Sequence, residues 1–194
     1  MKKYIELVKP RITAMVVVTA FVGYWLAKRH IDITLFWTLI GVALTSSACG
    51  CLNQLFEKRP DFLMQRTRYR PVPSGRVSSR QAFIFGFYLG VAGLILLGSQ
   101  VNALACFLAS VAIVLYLLAY TPLKLKTPLS AWFGAVAGAM PPLIGWASAR
   151  GSLEAPAWVL FAIQFLWQIP HFLALFWMHR KDYEHAGFRV LSVV

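Results

Sequence analysis

Six long apolar runs, separated by short clusters of charge, dominate this 194-residue sequence. Crossing the hydrocarbon core of a bilayer takes about 20 mostly apolar residues at ~1.5 Å rise each. Stretches at roughly 12–28, 33–55, 82–100, 102–120, 129–149 and 156–178 meet that requirement. Lipid offers no partner to backbone N–H and C=O groups, so runs of this length must satisfy themselves as helices. The expected fold is all-α, a polytopic transmembrane helical bundle. Composition agrees, since 59% hydrophobic and 13% charged residues leave more apolar surface than a water-soluble domain of this size could bury. The first run is short, and Tyr24 and Trp25 would anchor it at the interface. Only Ser99, Gln100 and Asn102 interrupt the third and fourth runs, which predicts a tight turn there.

The chain carries a formal net charge of +12. Its cations sit in short clusters between apolar runs and not along one soluble face, which argues for membrane topology and against nucleic acid. Sixteen Lys and Arg residues fall in the N-terminus, the 56–81 loop, the 121–127 loop and the tail, while only Lys28, Arg29 and Arg150 fall on the other side. By the positive-inside rule the N-terminus and the large basic loop face the cytoplasm. Lys9-Pro10-Arg11 opens the first run and no small-residue cleavage site follows it, so this run reads as an uncleaved span. Cys49, Cys51 and Cys106 all lie in apolar stretches and read as packing residues, with a metal or redox pair as the other reading of Cys49 and Cys51.

Chemistry-bearing residues gather at the cytoplasmic ends. Asn53, Glu57 and Asp61 are spaced by four, so a continuing helix would stack three oxygen-bearing side chains on one face, although Pro60 could bend or end it. Magnesium takes hard oxygen ligands, usually one or two carboxylates plus substrate phosphates, so this ladder suits a metal-bridged diphosphate. The spacing alone also fits polar residues fraying into the interface. The loop from Met64 to Arg76 adds Arg66, Arg68 and Arg70, whose guanidinium forks suit phosphate oxygens or anionic lipid equally. Tyr120-Thr121 with Lys124 and Lys126 follows the fourth run, and Arg180, Asp182 and Glu184 follow the sixth. Within the sixth run, Gln168 and His171 are costly in hydrocarbon unless they face a cavity or another helix, and Pro170 can kink the span. Gly134, Gly138, Pro141 and Pro142 in the fifth run suit close helix packing and a bend.

These residues resemble one family. Lys9-Pro10-Arg11, the run Asn53-x3-Glu57-x3-Asp61-x2-Met64-x-Arg66-Thr67-x2-Arg70-Pro71, Tyr120-Thr121 with Lys124, Gly138 to Trp146, Trp167 to Phe172, and Asp182-Tyr183 with Ala186-Gly187 are similar to the intramembrane prenyltransferases of the UbiA type. The Met64–Pro71 and Trp167–Phe172 strings resemble its haem-prenylating branch. The resemblance covers essentially the whole chain as a single domain, 1–194. It implies transfer of a farnesyl group from farnesyl diphosphate to a vinyl group of haem B, with Mg²⁺, giving haem O for terminal oxidase assembly. It also implies a bacterial-type cytoplasmic (inner) membrane, membrane lipid as surroundings, and a downstream haem A synthase or oxidase as recipient. Carried over residue by residue, Asn53, Glu57, Asp61 and Asp182 would be the catalytic metal–diphosphate residues. Arg66, Arg70, Lys124 and Arg180 would contact diphosphate, and His171 would touch haem.

Three features depart from the family pattern. Arg59 stands where many relatives have a third carboxylate, and Ser192 where proline is usual. The family also continues through about three more spans, nine in all, so against that pattern the chain looks truncated at its C-terminus. Two other functions fit the same charge pattern: prenylation of a quinone precursor, and non-catalytic carriage of diphosphate amphiphiles through the membrane.

Overall fold

The computed structural model describes residues 2–191, so Ser192 lies outside the described residues. Every regular element in that range is helical: α1 (Lys2–Leu7), α2 (Pro10–Lys28), α3 (Ile33–Phe56), α4 (Lys58–Leu63), α5 (Ser79–Gln100), α6 (Ala103–Val114), α7 (Thr121–Leu123), α8 (Ser130–Arg150), α9 (Ala155–Met178) and α10 (Arg180–His185). A π-helical turn, Leu115–Tyr120, joins α6 to α7 without a break in the rod. Six rods therefore correspond to the six apolar runs.

Local chemistry explains where the rods begin. Asp32 accepts a hydrogen bond from the Leu35 N–H to cap α3, Ser78 and Gln81 form a reciprocal capping box on α5, and Asn102 caps α6 through the Ala105 N–H. The connection between α5 and α6 is the tight turn expected at Asn102, whose amide also donates to the Ala147 carbonyl at 2.9 Å. Lys9 takes the left-handed conformation, φ 51°, and turns the chain from α1 into α2, where Pro10 begins the helix.

α8 lies at the centre and packs against α2, α6, α9 and the π-helical turn. Five of the six rods are long and apolar enough to cross a membrane, and α8 is not among them. The reason is burial: fifteen of its 21 residues are buried, among them Gly134, Ser130 and Ser148. A helix enclosed by other helices needs small residues for close approach more than it needs apolar surface. A Cβ built on Gly145 would stand 1.9 Å from the Ala20 carbonyl oxygen, and one on Gly23 would stand 2.1 Å from the Pro142 oxygen. The α2–α8 crossing is thus backbone against backbone. Gly138 leaves room in the same way for the Gln168 amide of α9. α9 continues through Pro170, and its outer face, with Trp158, Ile163, Leu166, Trp167 and Trp177, is exposed and apolar.

Candidate functional site

The polar connections converge at one end of the bundle. α3 ends at Phe56 and α4 starts at Lys58, but hydrogen bonds run across the join: the Glu57 N–H donates to the Asn53 carbonyl at 2.9 Å and the Asp61 N–H to the Glu57 carbonyl at 2.8 Å. Helical register is therefore kept, and Asn53, Glu57 and Asp61 remain one turn apart. All three are buried, at 2%, 3% and 2% exposure, which rules out fraying into solvent.

A buried carboxylate is costly unless it is paired, and each rung is matched by a cation from a different element. Lys9, in the turn between α1 and α2, donates to Asn53 Oδ1 at 2.6 Å. Lys124, just past α7, donates to Glu57 Oε1 at 2.7 Å. Arg70, from the long loop, donates to Asp61 Oδ2 at 2.7 Å. The π-helical turn contributes directly, because the Thr121 hydroxyl donates to the Tyr116 carbonyl at 2.8 Å while standing 3.4 Å from the Asn53 amide nitrogen. Lys124 is further held between the rings of Tyr120 and Phe188, at 5.1 and 4.9 Å.

The electrostatics follow from these pairings. Burial alone would raise the Glu57 carboxyl, but Lys124 and Lys9 outweigh it and hold the group below the ordinary carboxylate range. Burial would likewise favour neutral Lys124, and Glu57 reverses this, so its ammonium is held firmly charged. Lys9 is pushed down to about 8 by burial and by the neighbouring Arg70 charge, with Glu57 and Asp61 offsetting part of the effect.

None of the remaining residues singled out from sequence forms an ion pair with the ladder among the described residues. Arg66 reaches the Tyr183 hydroxyl of α10 at 3.5 Å, and the Arg189 N–H donates to the Lys124 carbonyl at 2.9 Å, so the C-terminal segment closes against the site. Asp182, beside Tyr183, is half-buried. Arg180 is exposed, with its guanidinium over the Trp177 ring at 4.8 Å, and His171 is exposed, stacked on Trp167 at 4.8 Å. Sequence reasoning gave no role to Thr67, whose buried hydroxyl donates to the Asp61 carbonyl at 2.8 Å. Nor did it place Lys9 or Tyr183 in the site. Lys9 had a signal, a cation fixed before proline at the mouth of a span, whereas Tyr183 stood only within the Asp182-Tyr183 resemblance, with no role of its own.

Among the described residues no three His, Cys, Asp or Glu side chains stand together as a ready-made metal cage. The ladder still fits magnesium. Glu57 and Asp61 each commit one oxygen to a cation, and two carboxylates plus an amide leave the rest of an octahedral shell to substrate oxygens and water.

The rods form an all-α bundle with a buried acidic ladder and matched cations at one mouth, the frame of an intramembrane protein. The chain belongs to the UbiA prenyltransferase family, whose model matches residues 16–194. It is 43% identical over 205 residues to a protoheme IX farnesyltransferase of Solibacter usitatus (strain Ellin6076), covering 100% of this chain and 70% of that one. It is 42% identical over 193 residues to the mitochondrial protoheme IX farnesyltransferase of Arabidopsis thaliana, covering 98% of this chain and 45% of that one. The chain thus spans only part of the length of these relatives. The fold is similar to that of a digeranylgeranylglyceryl phosphate synthase, with a TM-score of 0.83 at 20% identity over 99% of this chain and 68% of that one. It is also similar to a UbiA homolog from Archaeoglobus fulgidus bound to GPP and Mg²⁺, with a TM-score of 0.80 at 14% identity over 98% of this chain and 68% of that one.

Proposed function

We propose that this chain transfers the farnesyl group of farnesyl diphosphate to a vinyl group of haem B, giving haem O. The observation that carries the reading is the ladder itself: three buried rungs, each matched by a cation that substrate oxygens could recruit. Similarity along the whole chain to protoheme IX farnesyltransferases supports the choice of farnesyl and haem over a quinone precursor.

In this reading Asn53, Glu57 and Asp61, with Asp182 of α10, would hold magnesium on the diphosphate. When bound, Mg²⁺ supplies neutralisation of the charge that grows on the leaving group. Lys124, Arg70 and Lys9 already face the ladder, and together with Arg66 and Arg180 they would bind the diphosphate oxygens as the C–O bond breaks. The allylic cation that remains is captured by the vinyl carbon of haem B. Water then adds at the vinyl carbon next to the ring and loses its proton, completing the hydroxyethylfarnesyl chain. Bulk water must be kept away until that point. Aromatic rings from Tyr120 through Phe172 and Phe176 to Tyr183, with successive centroids 5.8, 5.9 and 5.4 Å apart, form an arc beside Lys124 and suit a prenyl chain and a transient cation. His171 would touch the macrocycle from α9.

The charge bias supports an N-terminus and site on the cytoplasmic side; the membrane would be a bacterial-type inner membrane, with the product passing to a haem A synthase or oxidase. The deciding experiment supplies reconstituted protein with farnesyl diphosphate, Mg²⁺ and haem B, then measures pyrophosphate and haem O. Release of pyrophosphate with haem O is expected. Transfer to an aromatic quinone precursor instead, or binding of farnesyl diphosphate without release of pyrophosphate, would defeat the proposal.

A further inference from the structure

The short helix α4 presents two chemistries on opposite faces. Inward, Pro60 and Asp61 are buried against the ladder. Outward, Lys58 and Arg59 are exposed beside Phe62 and Leu63, which are 60% and 48% exposed. Together with Pro73 of the following loop, these four line an open cavity of about 360 Å³. Neither cation forms an ion pair among the described residues, and the Lys58 ammonium donates only to the Ser79 hydroxyl, at 3.3 Å.

Chain position gives this cavity its meaning. α4 follows directly on the end of the α3 span, where a crossing helix leaves hydrocarbon for the headgroups, and Phe56, the last residue of that span, is 54% exposed. Two unpaired cations above exposed apolar side chains match a molecule that is anionic at one end and greasy at the other. Soluble anions would gain nothing from Phe62 and Leu63, and a neutral lipid nothing from Lys58 and Arg59.

We infer that the cavity between α4 and Pro73 binds an anionic phospholipid, with its phosphodiester at Lys58 and Arg59 and its acyl chains against Phe62 and Leu63. The site does not depend on the reaction proposed above. It does bear on the ladder, because the six residues of α4 that hold the lipid outside also carry Asp61 inside.

The test uses the full chain purified in detergent and titrated with phosphatidylglycerol or phosphatidylcholine, with bound lipid counted by native mass spectrometry. Tight, saturable retention of one phosphatidylglycerol is expected in preference to phosphatidylcholine. The double variant K58Q/R59Q should bind it roughly twentyfold more weakly, since each cation near an anionic lipid contributes on the order of fivefold. F62S/L63S should weaken binding too, whereas K2Q/K3Q on α1 should leave that lipid bound. Equal retention of the two lipids, displacement of phosphatidylglycerol by millimolar inorganic phosphate, or equal weakening by K2Q/K3Q would overturn the inference.

Discussion

The Lys124 ammonium stands 2.7 Å from Glu57 Oε1, two buried side chains brought together from elements 67 residues apart. The pair ties the end of α3 to the turn after α7, and it sets the balance between folding and chemistry at this mouth. Removing only the cation leaves a carboxylate without a partner in a dry site. Lys124→Met should therefore destabilise the protein by about 3–5 kcal/mol, while Lys124→Met with Glu57→Leu should recover most of that loss. Thermal unfolding in detergent of both variants checks this, and a double variant no more stable than the single one would contradict it.

Glu57→Gln and Asp61→Asn keep the shape of the ladder and remove its charge. Each should abolish pyrophosphate release from farnesyl diphosphate while leaving membrane insertion intact, and Glu57→Gln should also lower stability because it leaves the buried Lys124 ammonium without its carboxylate. Turnover assayed beside circular dichroism separates the two effects. Unchanged activity in both variants removes these carboxylates from the mechanism.

The α2–α8 crossing should tolerate no added methyl group. Gly145→Ala forces a Cβ into the Ala20 carbonyl and should lower stability by about 1–3 kcal/mol. Gly151→Asn is the matching control, because Gly151 is left-handed at φ 71° with no atom near its absent Cβ, and asparagine accepts that conformation. Denaturation midpoints of the two variants should differ clearly.

At the opposite end of the bundle, Asp32 accepts from the Tyr24 hydroxyl and pairs with Lys28. Burial alone would raise its carboxyl, but Lys28 and Tyr24 hold it well below its ordinary 3.8. A carboxyl with a depressed folded value contributes stability that is complete above the unfolded value and is lost as pH falls below it. The contribution should be small, ~0.5–1 kcal/mol, since Lys28 is partly exposed. Asp32→Asn keeps the cap on α3 and should flatten the stability profile below pH ~4. A profile unchanged by this substitution would argue against the ion pair.

Periodicity and length were enough to read the rods, and turn chemistry at Asn102 was enough to read the tightest connection. Spacing carried Asn53, Glu57 and Asp61 onto one face, and the structure keeps them there across Pro60 because the backbone hydrogen bonds pass through the join. Pairing was a different matter. That Lys9 meets Asn53, Lys124 meets Glu57 and Arg70 meets Asp61 depends on how distant elements pack, and no local pattern encodes it. The same is true of Tyr183, an ordinary tyrosine until α10 folds back beside Arg66. Hydropathy, in turn, gave α8 no mark of its central position, because enclosure relaxes the demand for apolar side chains.

That enclosure bears on how the protein is made. A segment as rich in glycine, alanine and serine as Ser130–Arg150 gains little by partitioning alone from the translocon into lipid. Its entry must be assisted by helices synthesised before it, with α2 offering the groove at Ala20 and Gly23. A lesion at that groove would show first as a chain threaded with the wrong topology, ahead of any defect in catalysis.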